Sequence, residues 1–178
     1  MQNRMIPVLT PDYYDKFSCI GGACEDNCCN GWEIVIDKNT YDRYRNIKAP
    51  SFKASFPSRV KRMKGEKADN ARYAVLIRDE ADRCKFLRED GLCEIHADYG
   101  EKYLSNICKI YPRRCCVMQD NLFELSLIPS CPEALRKMIF DPEPMAVSIK
   151  EMPQERIAAF RYVAETSFKD HKSAHLAE

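Results

Sequence analysis

Apolar residues spaced three and four positions apart predict helices in five parts of the chain. In the clearest case, Tyr99 to Tyr111, Leu104 and Cys108 fall on one buried face, and the following proline should end the helix. A second helix is predicted from Thr40 to Ile47, and Asp37 or Asn39 is expected to cap it. The other three predicted helices run from Pro11 to about Phe17, from Pro132 to Phe140 and from Gln154 to about Phe168.

Alternation of polar with β-branched or aromatic residues predicts strands between these helices. Residues 33–37 and 72–78 follow this pattern. The turn signal Asp90-Gly91 separates two short apolar arms, 84–87 and 92–96, and predicts a β-hairpin. A second pair of strands, about 115–118 and 122–128, is joined by Gln-Asp-Asn. Helices mixed with short antiparallel hairpins predict an α+β fold.

The pattern weakens between Lys48 and Asn70, where two prolines interrupt it. A basic run lies in this stretch, and we expect a solvated loop there rather than a phosphate or nucleic-acid contact. The run consists of Arg59, Lys61, Arg62, Lys64 and Lys67. We therefore expect a domain over residues 1–140, a proline-rich linker over 141–153, and a C-terminal amphipathic helix and tail over 154–178. The apolar stripe of that helix, Ile157, Phe160, Ala164 and Phe168, should pack back onto the domain.

Composition narrows the class of protein. The chain has 178 residues with 28 Lys and Arg against 27 Asp and Glu, a balance that argues against a dedicated nucleic-acid binder. It has neither a signal-peptide core nor an apolar run long enough to cross a membrane, so we expect a cytoplasmic protein without membrane contact. Ten residues are cysteines. In a reducing compartment, many cysteines indicate metal binding or catalysis more often than structural disulfides.

Four cysteines, Cys19, Cys24, Cys28 and Cys29, fall in one glycine-rich segment with the spacing C-x4-C-x3-C-C. Convergence of several thiolates on one point needs such an irregular loop, and its amides can donate hydrogen bonds to sulfur. This spacing matches neither a zinc knuckle nor a plant-type ferredoxin. Adjacent cysteines point in different directions in an extended chain, so at most one of each pair should bind a given metal easily.

The remaining cysteines occupy different local settings. Cys84 and Cys93 lie on opposite arms of the predicted hairpin, Cys108 on a packed helix face, and Cys131 just before a helix, where amides favour a thiolate. We interpret three further groups as non-ligands: the pair Cys115 and Cys116 as small hydrophobes, His96 as a surface group, and His171 with His175 as members of a polar tail.

Four segments together resemble the flagellin lysine-N-methylase family, and also the wider cysteine-cluster family described as zinc- or iron-chelating domains. They are Phe17–Trp32, Cys84–Leu87 with Gly91–His96, Tyr103–Arg113 and Ser130–Ala134. The resemblance implies an iron–sulfur protein that methylates lysine side chains of flagellin with S-adenosylmethionine. It also implies eight metal-binding cysteines: Cys19, Cys24, Cys28, Cys29, Cys84, Cys93, Cys108 and Cys131.

Two departures from the family bear on this reading. Family members are usually longer, so the chain is either a fragment or a short paralogue, and it contains no glycine-rich nucleotide-binding fingerprint. The leading hypothesis is a cysteine-rich α+β domain packed around a [4Fe–4S] cluster or zinc, within a methyltransferase whose catalytic base the sequence does not identify. A non-enzymatic zinc- or iron-chelating module and a redox-sensing thiol protein are the alternatives. Eight ligands exceed the four that one centre needs, so either two centres exist or half of the cysteines serve another purpose.

Overall fold

Two small β-sheets, each with its own packed core, organise the chain in a computed structural model that describes residues 4–65, 68–118, 122–158 and 160. The strands are β1 Met5–Pro11, β2 Val35–Ile36, β3 Val60–Arg62, β4 Ala74–Leu76, β5 Arg113–Val117, β6 Phe123–Leu127 and β7 Val147–Pro153. The helices are α1 Asp12–Lys16, α2 Lys38–Arg45, α3 Pro50–Arg59, α4 Glu94–Tyr99, α5 Asn106–Ile110 and α6 Pro132–Ile139. Two 3-10 turns cover Gly21–Ala23 and Glu101–Tyr103. The expectation of an α+β fold is confirmed.

The larger sheet has the strand order β5-β6-β1-β7. β5 and β6 form the predicted antiparallel hairpin, with Cys115 opposite Leu125. β1 pairs in parallel with β6 and antiparallel with β7, where Met5 faces Pro153 at one end of the ladder. One core, here called the sheet core, lies on this sheet under α1 and α6. Its most buried members are Val8, Tyr14, Leu125, Ala134 and Ile157.

The smaller sheet has the order β2-β4-β3, with both pairs antiparallel. Its buried residues continue into a second core, here called the aromatic core. Phe52 of α3 stacks on Phe86 with ring centroids 5.8 Å apart, and Tyr44 of α2 meets both rings edge-on. Cys29 and Cys84 are buried in the same core. The aromatic core therefore surrounds part of the cysteine set.

Local signals account for several helix boundaries. Asp37 accepts the N–H of Thr40 at 2.6 Å and so caps α2, which confirms one of its two candidate caps. α6 begins at Pro132, as expected for a proline in the first helical turn. α1 is a single short helix that follows Pro11. These ends depend on contacts between near neighbours in sequence.

The segment from Lys48 to Asn70 is not the loop that its pattern predicts. α3 and β3 occupy most of it. Pro50 stands at the first helical position and Pro57 lies inside the helix near its end. Because Phe52 is buried in the aromatic core and Phe56 packs against that core, the burial of apolar surface compensates for the hydrogen bond lost at Pro57.

The predicted linker is also partly wrong, because β7 covers its second half. Seven residues of β7 pair with β1, and Met152 is buried in the sheet core. After β7, residues 154–158 are helical, and Ile157 and Phe160 pack into the sheet core as expected. Ala164 and Phe168 lie outside the described residues.

The predicted helix from Tyr99 to Tyr111 is wrong in its first half, where a 3-10 turn stands, and only α5 in its second half is an α-helix. α4 ends at Tyr99 because Gly100 takes a positive φ of 84°, and Ser105 then caps α5 by accepting the N–H of Cys108. The predicted hairpin around Asp90-Gly91 is reduced to its turn and a single bridge between Leu87 and Cys93, because α4 starts directly after Cys93. Gln119 to Asn121, the expected turn between β5 and β6, lies outside the described residues. No described helix has both the length and the apolarity needed to span a membrane.

Candidate metal centre

The glycine-rich loop before β2 is held against the turn that precedes Cys93. A Cβ atom on Gly22 would lie 2.8 Å from the carbonyl oxygen of Asp90, closer than real Cβ contacts allow. Gly21 has a φ of 57° and its amide donates to the Sγ of Cys19 at 3.4 Å. The glycines thus let two distant cysteine segments meet, and the loop supplies an amide to sulfur as expected.

A network of polar contacts orients the Cys28-Cys29 pair. Asn27 Oδ1 accepts the N–H of Cys29 at 3.0 Å, and the indole N–H of Trp32 donates to the carbonyl of Cys28 at 2.8 Å. The N–H of Cys84 donates to the carbonyl of Cys29 at 2.7 Å. Backbone bonding therefore places Cys84 beside the end of the loop.

Five thiols gather at this position, here called the central cluster: Cys28, Cys29, Cys84, Cys93 and Cys108. The Cys29 thiol is in hydrogen-bonding contact with those of Cys28 and Cys93. Cys84 lies within electrostatic reach of Cys28 and Cys93, and Cys108 within reach of all three. Both members of the adjacent pair Cys28-Cys29 therefore face the same cluster, contrary to expectation, because the loop is not extended here.

Hydrogen bonding lowers the pKa of Cys93 and raises that of Cys29, whereas burial raises the pKa of every thiol in the cluster. The Cys29 thiol, together with the amides of His96 and Ile95 at the start of α4, lowers the pKa of Cys93 to about 7. The same contacts raise the pKa of Cys29, first through Cys28 and then through Cys93. Burial raises the pKa of Cys84 to about 11 and that of Cys108 as well. The cluster thus combines thiolate-favouring positions with neutral donors.

The other three candidate ligands, Cys19, Cys24 and Cys131, form a separate group, here called the outer group. Cys131 immediately precedes α6, and burial raises the pKa of its thiol while the amides of Ala134 and Glu133 oppose that shift. Cys24 and Cys19 lie within electrostatic reach of Cys131. The eight cysteines are therefore divided five to three.

An arginine fastens the loop to α6 beside the outer group. Arg136 forms ion pairs with Glu25, which follows Cys24, and with Glu133 in the first turn of α6. The side chain of Glu133 is only 10% exposed, whereas those of Arg136 and Glu25 are 42% and 58% exposed. The Glu133 end of this link is therefore the better shielded from water.

The residues interpreted as non-ligands have other settings where the structure describes them, although the amide of His96 contacts Cys93. Cys115 packs against the sheet core from β5, and Cys116 is its half-buried neighbour. His96 is exposed on α4. His171 and His175 lie outside the described residues.

Two tyrosines border the thiols, and the sequence had shown them only as members of apolar helix faces. Burial, followed by the nearby Cys108 and Cys93, holds the pKa of Tyr44 well above its usual range. Tyr111 lies within electrostatic reach of both Cys131 and Cys28, and its hydroxyl is 3.0 Å from that of Ser130. Tyr111 therefore lies between the outer group and the central cluster.

Comparison with known proteins decides the family. A lysine-N-methylase of Salmonella typhimurium is 31% identical over 153 residues, which are 85% of the chain and 37% of that protein. The flagellar biosynthetic protein FliU of Salmonella muenchen is 31% identical over 149 residues, which are 83% of the chain and 86% of FliU. The chain belongs to the flagellin lysine-N-methylase family. It spans most of FliU but well under half of the lysine-N-methylases that it matches. No family model and no solved structure matches it.

The donor set of the central cluster suits the soft metals that this resemblance implies. All five donors are thiols, which favour zinc and iron–sulfur clusters over hard cations such as magnesium or calcium. The neighbouring carboxylate of Glu94 is paired with Arg59 at 2.5 Å. Among the described residues, no three His, Cys, Asp or Glu side chains are already arranged as ligands of one metal ion. The thiols therefore suit such a centre by the chemistry of their donor atoms.

Proposed function

We propose that the chain is the cysteine-cluster part of an S-adenosylmethionine-dependent lysine N-methyltransferase that modifies flagellin, and that thiols of the central cluster hold a [4Fe–4S] cluster. The observation that carries this proposal is the convergence of five thiols from four separate segments on Cys29 and its neighbours. The names of the relatives support the reaction, since they are a lysine-N-methylase and a flagellar biosynthetic protein.

The chemistry sets what the site must provide. The lone pair of a neutral lysine amine attacks the methyl carbon of the sulfonium donor, the carbon–sulfur bond breaks, and S-adenosylhomocysteine leaves with the electron pair. A protonated lysine has no lone pair, so the amine must lose its proton before the attack. Desolvation in an apolar site lowers the pKa of a lysine and so favours the neutral amine.

Hydrogen bonds from the loop and its partners hold part of the central cluster in place. Asn27 and Trp32 hold the backbone of the Cys28-Cys29 pair, and the amides that begin α4 stabilise a thiolate at Cys93. When bound, a [4Fe–4S] cluster would supply a charged, electron-accepting centre anchored by such thiolates. The residues of the chain would then bind, orient and shield it from water.

Metal and sulfide analysis tests the centre. The full chain is purified anaerobically, and iron, acid-labile sulfide and zinc are measured together with the absorption spectrum. We expect iron and sulfide in equal amounts, near four of each per chain, as a [4Fe–4S] cluster requires. One zinc per chain without sulfide would refute the iron–sulfur centre.

Transfer of a labelled methyl group tests the activity separately. The cluster-containing chain is incubated with flagellin and S-adenosylmethionine labelled in its methyl group, and modified lysines are located by mass spectrometry. We expect label on lysine side chains of flagellin. The absence of transfer by a fully loaded sample would contradict an enzyme formed by this chain alone.

A zinc- or iron-chelating module without its own activity is the second candidate. It is favoured by the fact that the chain spans only 37% of the lysine-N-methylase of Salmonella typhimurium, and that thiol donors alone also suit a structural zinc. It predicts stable metal binding, a higher melting temperature with metal than without, and no methyl transfer.

A further inference from the structure

A broad groove lies on the smaller sheet, on the side of α2 and α3. Its volume is about 1030 Å³. Its walls come from α2, α3, β3 and β4, and it is here called the cationic groove. The residues that the argument uses are Tyr41, Arg45, Phe56, Lys61, Arg62 and Lys64. Three members of the basic run that the sequence places in a solvated loop, Lys61, Arg62 and Lys64, thus line a folded surface.

The charged side chains that line the groove are all basic. Four of its lining residues are cations, and among the described residues none of the lining residues is acidic. The chain as a whole carries a formal charge of only +1, so this concentration is local. Arg59, at the end of α3, is by contrast neutralised by Glu94.

In the described part of the chain, the two arginines of the groove contact aromatic rings rather than carboxylates. The guanidinium of Arg62 lies 4.3 Å from the ring centroid of Tyr73, and that of Arg45 lies 5.9 Å from that of Tyr41. Lys61 and Lys64 are exposed. Within the described part of the chain, no carboxylate pairs with any of these four cations. Aromatic contacts therefore hold the guanidinium groups in place and leave their charge available.

The groove also borders an open strand. β3 is an edge of its sheet, paired only with β4. Just beyond the ends of the two strands, Met63 donates to the carbonyl of Tyr73, and Ile77 donates to that of Arg59. Since alternate residues bond across an antiparallel pair, this register directs the backbone of Arg62 away from β4. An extended polypeptide can hydrogen-bond to such an edge, whereas a nucleic acid has no matching main chain.

We propose that the cationic groove binds an acidic, extended segment of the protein substrate, next to the lysine that is modified. This proposal rests on the proposed function for the identity of the partner. The negative charges of the segment complement the four cations of the groove, and its backbone extends the smaller sheet at β3.

The position of the groove relative to the thiols suits this role. α2 carries both Tyr41 and Arg45, which line the groove, and Tyr44, which lies near Cys93 and Cys108 of the central cluster. The groove and the cluster thus share α2. Recognition of an acidic segment by the groove favours lysines with acidic neighbours.

Binding is tested without any methyl transfer. Two fluorescein-labelled peptides of equal length are compared by anisotropy with the full chain, one with a lysine flanked by Asp and Glu, the other with Asn and Gln in their place. We expect the acidic peptide to bind at least about tenfold more tightly, and this preference to shrink as salt is raised.

A charge-reversal pair locates the site. K61E/K64E changes two exposed residues of the groove, and K48E/K53E makes the same change in charge at exposed lysines outside it. We expect the first variant to weaken acidic-peptide binding by about tenfold or more, and the second by less than about twofold. Circular dichroism should show that both remain folded.

Three results would overturn the proposal. The first is equal affinity for the two peptides, and the second is an equal loss of peptide affinity in the two variants. The third is a single-stranded oligonucleotide that binds more tightly than the acidic peptide and whose binding K61E/K64E abolishes, since that result assigns the groove to nucleic acid. Peptide selectivity in a chain that transfers no methyl group would support the groove and contradict the proposed function. Methyl transfer without that selectivity would do the reverse.

Discussion

The N–H of Cys84 donates to the carbonyl of Cys29 at 2.7 Å, which joins the glycine-rich loop to the segment after β4. Both residues are buried in the aromatic core. Because a backbone hydrogen bond between two buried residues restricts both, the fold holds the backbones of these two cysteines side by side.

Cys29 should be the most sensitive position for metal retention, because its thiol contacts both Cys28 and Cys93. We expect C29S to lose most of the bound metal after anaerobic purification, with iron, sulfide and zinc as the readout. C115S is the matched control, since Cys115 packs on the sheet core. Equal metal content in the two variants would contradict the assignment of the central cluster.

Gly22→Ala should disturb the same site through the backbone. The added Cβ would lie 2.8 Å from the Asp90 carbonyl, so the loop or the turn must move. We expect a loss of about 1–3 kcal/mol in the free energy of unfolding, the usual range for overpacking, together with weaker metal retention. Urea titration and metal analysis measure the two effects. Gly65→Ala, at a positive φ but with open space, should affect stability alone.

Phe52→Ala removes the centre of the aromatic core. Phe52 is 2% exposed, and its ring contacts those of Tyr44, Phe86 and Tyr99. A cavity of this kind lowers the free energy of unfolding by about 3–5 kcal/mol, measurable as a lower urea midpoint. The neighbouring exposed Lys53 provides the control, because K53A should change stability by no more than about 0.5 kcal/mol.

Asp37→Ala removes two contacts with one substitution. The carboxylate caps α2 at Thr40 and accepts the amide of Asn106 at 2.6 Å, so it links α2 to α5. We expect a loss of about 2 kcal/mol in thermal or urea unfolding, near the upper end for a helix cap. D37N keeps a cap acceptor, so it should lose less stability than D37A. A variant as stable as the parent would show that the cap and link contribute little.

Several elements follow from short-range signals and were correct in kind. Asp37 was one of two candidate caps, Pro132 marks the start of α6, and the β5–β6 hairpin matches its alternating pattern. Residues 33–37 and 72–78 contain strands, although each is shorter than predicted. These features depend on hydrogen bonds and sterics between residues close in sequence, which a pattern can show.

The sequence-based predictions of secondary structure were wrong where packing against distant residues outweighed the local preference of the chain. Pro57 argued against a helix, yet the burial of Phe52 maintains α3. Pro142 and Pro144 before this segment, and Pro153 at its end, suggested a linker, yet pairing with β1 makes residues 147–153 a strand. Gly100 ends α4 and Ser105 begins α5, where apolar spacing alone had predicted one continuous helix.

The sequence by itself determined the α+β class and the family resemblance, which implied eight candidate cysteine ligands, because caps and motifs depend on residues close in sequence. Only the tertiary structure decided that five of these thiols meet around Cys29 while three lie beside α6, and that Lys61, Arg62 and Lys64 line a groove. The reason is physical. Which thiols converge depends on how two cores bury their apolar surfaces, and that burial joins segments whose contacts no local spacing records.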